Sequence, residues 1–220
     1  MVSKISRHEK QRLKVLWQYD VLDTVPEEMF DDLTELAAGI CEAPIALISL
    51  VDEDRQWFKS KVGVSIGETS RDVSFCAHAI RQEGLFIVPD ATRDERFAKN
   101  PLVVSDPKIR FYAGAPLITP DGHALGTLCV IDKVPRVLRP EQQQALRVLA
   151  RHVMTQLELR RHARELAEAR RAHADAAGVL AKTQAEVTQL RRELSKFKRN
   201  GKARRPVSRP SSRLAKRRKR

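Results

Sequence analysis

The sequence predicts an α+β domain followed by a long C-terminal helix, and three observations lead there. Runs rich in β-branched and aromatic residues recur between helical segments as far as Asp132. A turn at Pro120, Asp121 and Gly122 joins the last two runs at hairpin distance, which makes at least part of the sheet antiparallel. Beyond Pro140 the pattern turns helical and stays so. At 220 residues the chain holds one well-buried domain with an extension, and is short for two independent cores.

In order along the chain, Leu13, Leu16 and Trp17 stand at helical spacing within residues 6–19. Pro26, Glu27 and Glu28 mark a second helix start, running to about Cys41. Five strands are predicted: IALISLVD (45–52), RQWFKSKVG (55–63), LFIVPD (85–90), IRFYAGAPLI (109–118) and ALGTLCVID (124–132). Between the second and third, SFCAHAIRQ has helical spacing, with Ser74 placed to cap its first turn.

From Leu159 a heptad runs through Leu166, His173, Leu180, Val187 and Leu194, with His162, Ala169, Ala176, Thr183, Leu190 and Phe197 three positions later. His162, His173 and Thr183 are polar seam positions, and Gly178 costs about 1 kcal/mol against Ala in a helix. Pairing, by a homodimer of this helix, is therefore expected to be strongest over residues 180–197. A single solvated helix is the competing reading.

The formal net charge of +13 is confined to one end. All 28 acidic residues lie at or before Glu193, while Lys196 to Arg220 contains 13 of the 41 Lys and Arg. Pro, Ser, Lys and Arg dominate from Asn200 onward, so a disordered tail is expected. Arg204, Arg205, Lys216, Arg217, Arg218, Lys219 and Arg220 are its candidate polyanion-binding residues, for nucleic acid or an anionic membrane surface. A merely solubilising tail is the plainer reading. No interleaved aromatics offer base stacking.

No stretch approaches the roughly 18 to 20 apolar residues of a membrane span. Cys41, Cys76 and Cys129 are an odd number at wide spacing, which fits neither a zinc pattern nor a disulfide framework. A cytoplasmic protein is expected.

The ordered strings PIALISLVDEDRQWFKS, ETSRDVSFCAHAI, RFAKNPLV, IRFYAGAPL and LGTLCVID resemble the GAF domain family, in the version attached to bacterial signalling proteins, over roughly residues 10–157. The resemblance implies a central antiparallel sheet with flanking helices and a small-molecule pocket on one sheet face. Domain boundaries follow as an N-terminal helix and lead-in over 1–25, a GAF-like sensory domain over 26–157, a coiled-coil-like helix over 158–198 and the basic tail over 199–220. In such signalling proteins an output module commonly follows the exit helix, and none is visible in this sequence.

Candidate ligand-binding residues are Trp57 and Phe97 as walls, with Ser74, Cys76, His78, Asp90, Arg96, Arg110 and Tyr112 as polar or reactive groups. Strand alternation sets Arg110, Tyr112 and Gly114 on one face and Phe111, Ala113 and Ala115 on the other. An Arg beside a phenol suits an anionic or nucleotide-like ligand. Arg110 also reads as a loop-fixing residue paired with Asp90 or Asp94.

Cys76 at a helix start could sense oxidants, or be a small buried apolar residue. Cys76 and His78, two apart on a helix, point about 200° away from each other and are poorly placed to chelate one metal. Bilin-binding relatives place the attachment cysteine directly before a histidine, whereas Ala77 intervenes here. The redox cysteines of free methionine sulfoxide reductases lie nearer one another than these three do.

No Ser/His/Asp series, phosphate loop, HExxH or CxxC motif occurs, so no catalytic residue, metal ligand or cofactor is assigned. The leading expectation is a sensor or adaptor that binds an unidentified small ligand and acts through a signalling partner. Second comes a nucleic-acid-associated protein working through its tail, and third a thiol oxidoreductase using Cys76 or Cys129.

Overall fold

A computed structural model describes residues 6–202 and divides the chain into two units, Met1–Arg164 and Glu165–Arg220. The first unit contains α1 (Arg7–Gln18), α2 (Glu28–Cys41), β1 (Ile45–Val51), β2 (Arg55–Val62), β3 (Glu68–Ser70), α3 (Cys76–Ala79), β4 (Phe86–Val88), α4 (Pro101–Val104), β5 (Phe111–Ile118), β6 (Ala124–Asp132) and the start of α5 (Pro140–Lys202). The strands form one antiparallel sheet in the order β3-β2-β1-β6-β5-β4. β1 and β6 are central, and every residue of β1 is buried, as expected of a strand covered on both faces. Gly126 lets them close, because a Cβ there would meet the Ser49 carbonyl at 1.9 Å.

On one face α1, α2 and α5 bury an aliphatic core that includes Leu16, Phe30, Ile48, Phe111, Leu128 and Val153. Each such side chain taken from water contributes about 1.5–3 kcal/mol. The other face carries Leu47, Phe58, Phe75, Cys76, Phe97, Tyr112 and Cys129 under α3 and the loops around α4.

A bulge in β2 opposite Ile48/Ser49 turns both Lys59 and Ser60 toward α2. Lys59, buried, donates to Thr24 Oγ1 at 3.0 Å, the Val25 carbonyl at 2.7 Å and Glu27 Oε1 at 2.6 Å. Ser60 donates to Asp31 Oδ1 at 2.6 Å. Glu27 also accepts from Arg160 of α5 at 2.9 Å, and Tyr19 bonds Glu158, so α5 is pinned to the lead-in before α2.

Three sequence expectations need correction. A sixth strand, β3, exists; its three residues are exposed or half-exposed and carry no apolar period. The segment after Ser74 forms only one helical turn, α3. Trp17 is half-exposed at the end of α1, its Nε1 donating to Asp52 Oδ1 at 3.0 Å, and Arg12 and Val15 take the buried places instead. The Pro120–Gly122 turn is present, with Gly122 at φ 82.

In the second unit the described residues are helical through Lys202, so backbone helix continues across positions 199–202, which the sequence reading gives to the tail. Every residue from 165 to 199 is exposed, including Leu180, Val187, Leu190, Leu194 and Phe197 of the heptad. The remaining tail positions, with the seven basic candidates from Arg204 to Arg220, lie outside the described residues. Among the described residues no helix is long and apolar enough to cross a membrane.

Candidate functional site

The α3 face of the sheet buries a connected set of polar side chains. Cys76 opens α3, where the Ala77 amide donates to Ser74 Oγ at 3.1 Å and so ties the turn to the preceding extended residue. Thr127 and Cys129, alternate residues of β6, point to the same face as Tyr112 of β5. Thr127 Oγ1 donates to Cys76 Sγ at 3.1 Å, Tyr112 OH donates to it at 3.4 Å, and Cys129 Sγ lies 3.9 Å from it. Ser74 donates to Gln56 Oε1, which also accepts from Ser49 at 3.5 Å. All seven residues are buried.

Tyr112 reaches the thiols by lying back across Gly114, where an added Cβ would sit 2.2 Å from the phenol oxygen. Aromatic rings close the rest of the face. Phe75 stacks on Phe97 at 4.0 Å between centroids and on Tyr112 at 5.3 Å, while Arg96 covers Phe86 at 4.8 Å.

Burial opposes ionisation of Cys76, but the hydrogen bonds from Cys129, Thr127, Tyr112 and Ser49 outweigh it and hold this thiol below its ordinary value. The same bond to Cys76, together with burial, pushes Cys129 well up. Cys41 sits on the opposite face in the aliphatic core, where burial pushes its thiol up to about 11.

The structure brings together Ser74, Cys76, Phe97 and Tyr112 of the predicted ligand residues. His78 packs edge-on to Phe97 at 4.8 Å on the rim, its pKa lowered by burial and by Arg81 and Arg96. Arg96 pairs with Asp94 at 2.5 Å. Asp90 accepts from Thr92 within its own loop. Arg110 donates to the carbonyls of Val103 and Ile109 at 2.9 and 3.0 Å, so it fixes the loops through backbone rather than through Asp90 or Asp94. Trp57 packs with the aliphatic core on the opposite face and walls no site here.

The seven buried polar side chains all belong to this face. A groove of about 520 Å³ lies on the other face, between α5 and the β5 side of the sheet, lined by Leu85, Pro116, Arg147, Arg151 and Met154 among others. None of the predicted pocket residues lines it. Among the described residues no group of three or more metal-ligating side chains gathers.

The sequence model of the GAF domain matches residues 25–157, more than half of the chain. The chain belongs to the GAF domain family. Its sequence is 45% identical over 150 residues to cyclic di-GMP phosphodiesterase PA2567 of Pseudomonas aeruginosa, a match covering 68% of this chain and 26% of that protein. The chain thus spans about a quarter of the length of this curated relative.

Among solved GAF structures, the domain from Acinetobacter phosphoenolpyruvate-protein phosphotransferase superposes with a TM-score of 0.52 at 17% identity, over 70% of this chain and 94% of that one. The corresponding domain from Coxiella burnetii gives 0.50 at 17% identity, over 74% and 99%. At such identities the likeness is one of fold.

Sequence reasoning missed Ser49, Gln56 and Thr127 as members of the buried set, and named Cys129 only as an alternative to Cys76 in an oxidoreductase. The alternation of Thr127 and Cys129 in β6 was the available signal. Nothing in sequence places either beside Cys76.

Proposed function

We propose that this GAF protein is a sensor or adaptor in a signalling system, passing the state of its domain to a partner through α5 and carrying no catalytic step of its own. One observation carries the reading. Leu146, Val153 and Leu157 of α5 are core residues of the GAF domain, while Leu180, Val187, Leu190, Leu194 and Phe197 of the same helix are exposed apolar residues at heptad spacing.

A helix that shares the core of a domain responds to repacking there, and a seam of uncovered apolar residues calls for a second helix. We place a second copy of this chain on that seam, with a signalling protein downstream and an unidentified small ligand or chemical signal upstream. The sequence similarity to a cyclic di-GMP phosphodiesterase supports signalling of that general kind. The phosphodiesterase activity is that protein's.

Sedimentation equilibrium of the full chain tests the seam. The expected result is a dimer that Val187→Glu combined with Leu190→Glu converts to monomer, with thermal unfolding of the domain unchanged. A wild-type monomer at all concentrations overturns the reading.

The charge distribution favours a second reading, in which the 13 basic residues of 196–220, without one acid among them, attach the protein to a polyanion. Affinity for DNA, RNA or anionic vesicles should then fall steeply with salt and vanish on deletion of residues 196–220. Retention by the truncated chain removes this reading.

A further inference from the structure

We propose that Cys76 and Cys129 form a peroxide-reactive dithiol, whose oxidation closes a disulfide between α3 and β6. The two sulfurs, 53 positions apart in sequence, meet at 3.9 Å in a buried site. Cys41 belongs to the opposite core and is not part of the pair. The hydroxyls of Thr127 and Tyr112 donate to Cys76 Sγ at 3.1 and 3.4 Å, and donors at that range stabilise a thiolate there, which suits Cys76 to attack and leaves Cys129 to resolve.

With hydrogen peroxide as oxidant the chemistry closes in two steps. The Cys76 thiolate attacks one peroxide oxygen, the O–O bond breaks, and the departing hydroxide takes up the proton released by Cys76 and leaves as water. Cys76 is then a sulfenic acid. The Cys129 sulfur attacks the Cys76 sulfur, the S–O bond breaks, and the second hydroxide leaves as water with the Cys129 proton. Two thiols and one peroxide give one disulfide and two waters.

Bond formation draws the sulfurs from 3.9 Å to about 2.05 Å. β6 is bonded to β1 on one side and β5 on the other, whereas α3 is a single turn followed by the exposed residues 81–84, so α3 is the partner that moves. Oxidation also removes the thiol that Thr127 and Tyr112 donate to, leaving those two hydroxyls, 3.4 Å apart, to bond each other. Opening of the short α3 turn admits the peroxide. The pair itself is independent of the sensory reading; only the consequence, a repacked core read out by α5, rests on it.

The test uses the reduced full chain, exposed to hydrogen peroxide, quenched by alkylation and analysed by intact mass and peptide mapping. The expected product has lost the mass of two hydrogens, links the peptides of Cys76 and Cys129, and alkylates at Cys41 alone. In Cys129→Ser, Cys76 should accumulate as a dimedone-reactive sulfenic acid. Cys76→Ser and Cys76→Ala should both slow peroxide consumption at least about tenfold, and Cys41→Ser should leave it unchanged. Melting curves identify any variant that fails to fold, and the Cys41→Ser and wild-type results decide the matter in that event.

Absence of the linked peptide in wild type, or a bond that uses Cys41 or a second chain, overturns the proposal and leaves the α5 relay standing. A Cys76–Cys129 bond without any change in oligomeric state supports the dithiol and counts against the relay.

Discussion

On the face of the sheet under α1, α2 and α5 the buried residues are mainly aliphatic, with charges tied into ion pairs such as Lys59–Glu27 and Arg12–Glu9. The α3 face instead buries two thiols, a phenol, three hydroxyls and an amide among its aromatic rings. An aliphatic core is satisfied by volume and tolerates only small changes in it. A polar core holds only while each group keeps its partner, so a change at one atom propagates along the set. The first face is suited to be scaffold, and the second to change state.

The comparison breaks if the two faces respond alike to substitution. Phe111→Ala, on the aliphatic face, should cost about 3–5 kcal/mol in urea unfolding while leaving the Cys76–Cys129 reaction intact. Glu27→Ala strips buried Lys59 of its counter-charge and Arg160 of a partner, and should cost about 3 kcal/mol.

Glu27 also supplies a pH test. Burial works to raise its carboxyl, but the Lys59 and Arg160 hydrogen bonds outweigh burial and hold it below the ordinary 4.5. Its stabilisation is therefore complete above that value and is lost as pH falls through the lower folded value. Glu27→Gln should flatten part of the acid limb of the stability curve.

Smaller changes on the α3 face sharpen the contrast. Gly114→Ala forces Tyr112 from its place, for about 1–3 kcal/mol, and should alter the peroxide reaction as well as the melting temperature. Thr127→Val keeps the shape and removes one donor to Cys76; about 1 kcal/mol of stability and a slower oxidation are expected, measured by melting and by thiol titration. If Thr127→Val lowers stability without touching the oxidation rate, Thr127 is only a packing group.

Much of the fold was legible because period-two alternation and turn chemistry are local. Arg110, Tyr112 and Gly114 were separated from Phe111, Ala113 and Ala115 by alternation alone, and the structure puts Tyr112 and Phe111 in opposite cores. β3 escaped because three partly exposed residues at a sheet edge carry no period. Glu27 was read as part of a helix start, yet it stands just before α2 and its carboxylate serves Lys59 and Arg160, partners 32 and 133 positions away.

The candidate site was only partly legible. Ser74, Cys76, Phe97 and Tyr112 gather because they sit on elements that cover one face, but Trp57 belongs to the other, and no spacing rule says which side of β2 looks toward α3. By itself the sequence determined the α+β class, the family, the succession of domain and helix, and the two faces of β5, since each depends on neighbours within a few positions. The tertiary structure alone decided that Cys76 meets Cys129 and that Lys59 turns with Ser60 toward α2. The first depends on how a one-turn helix docks on a sheet, and the second on a bulge in strand register.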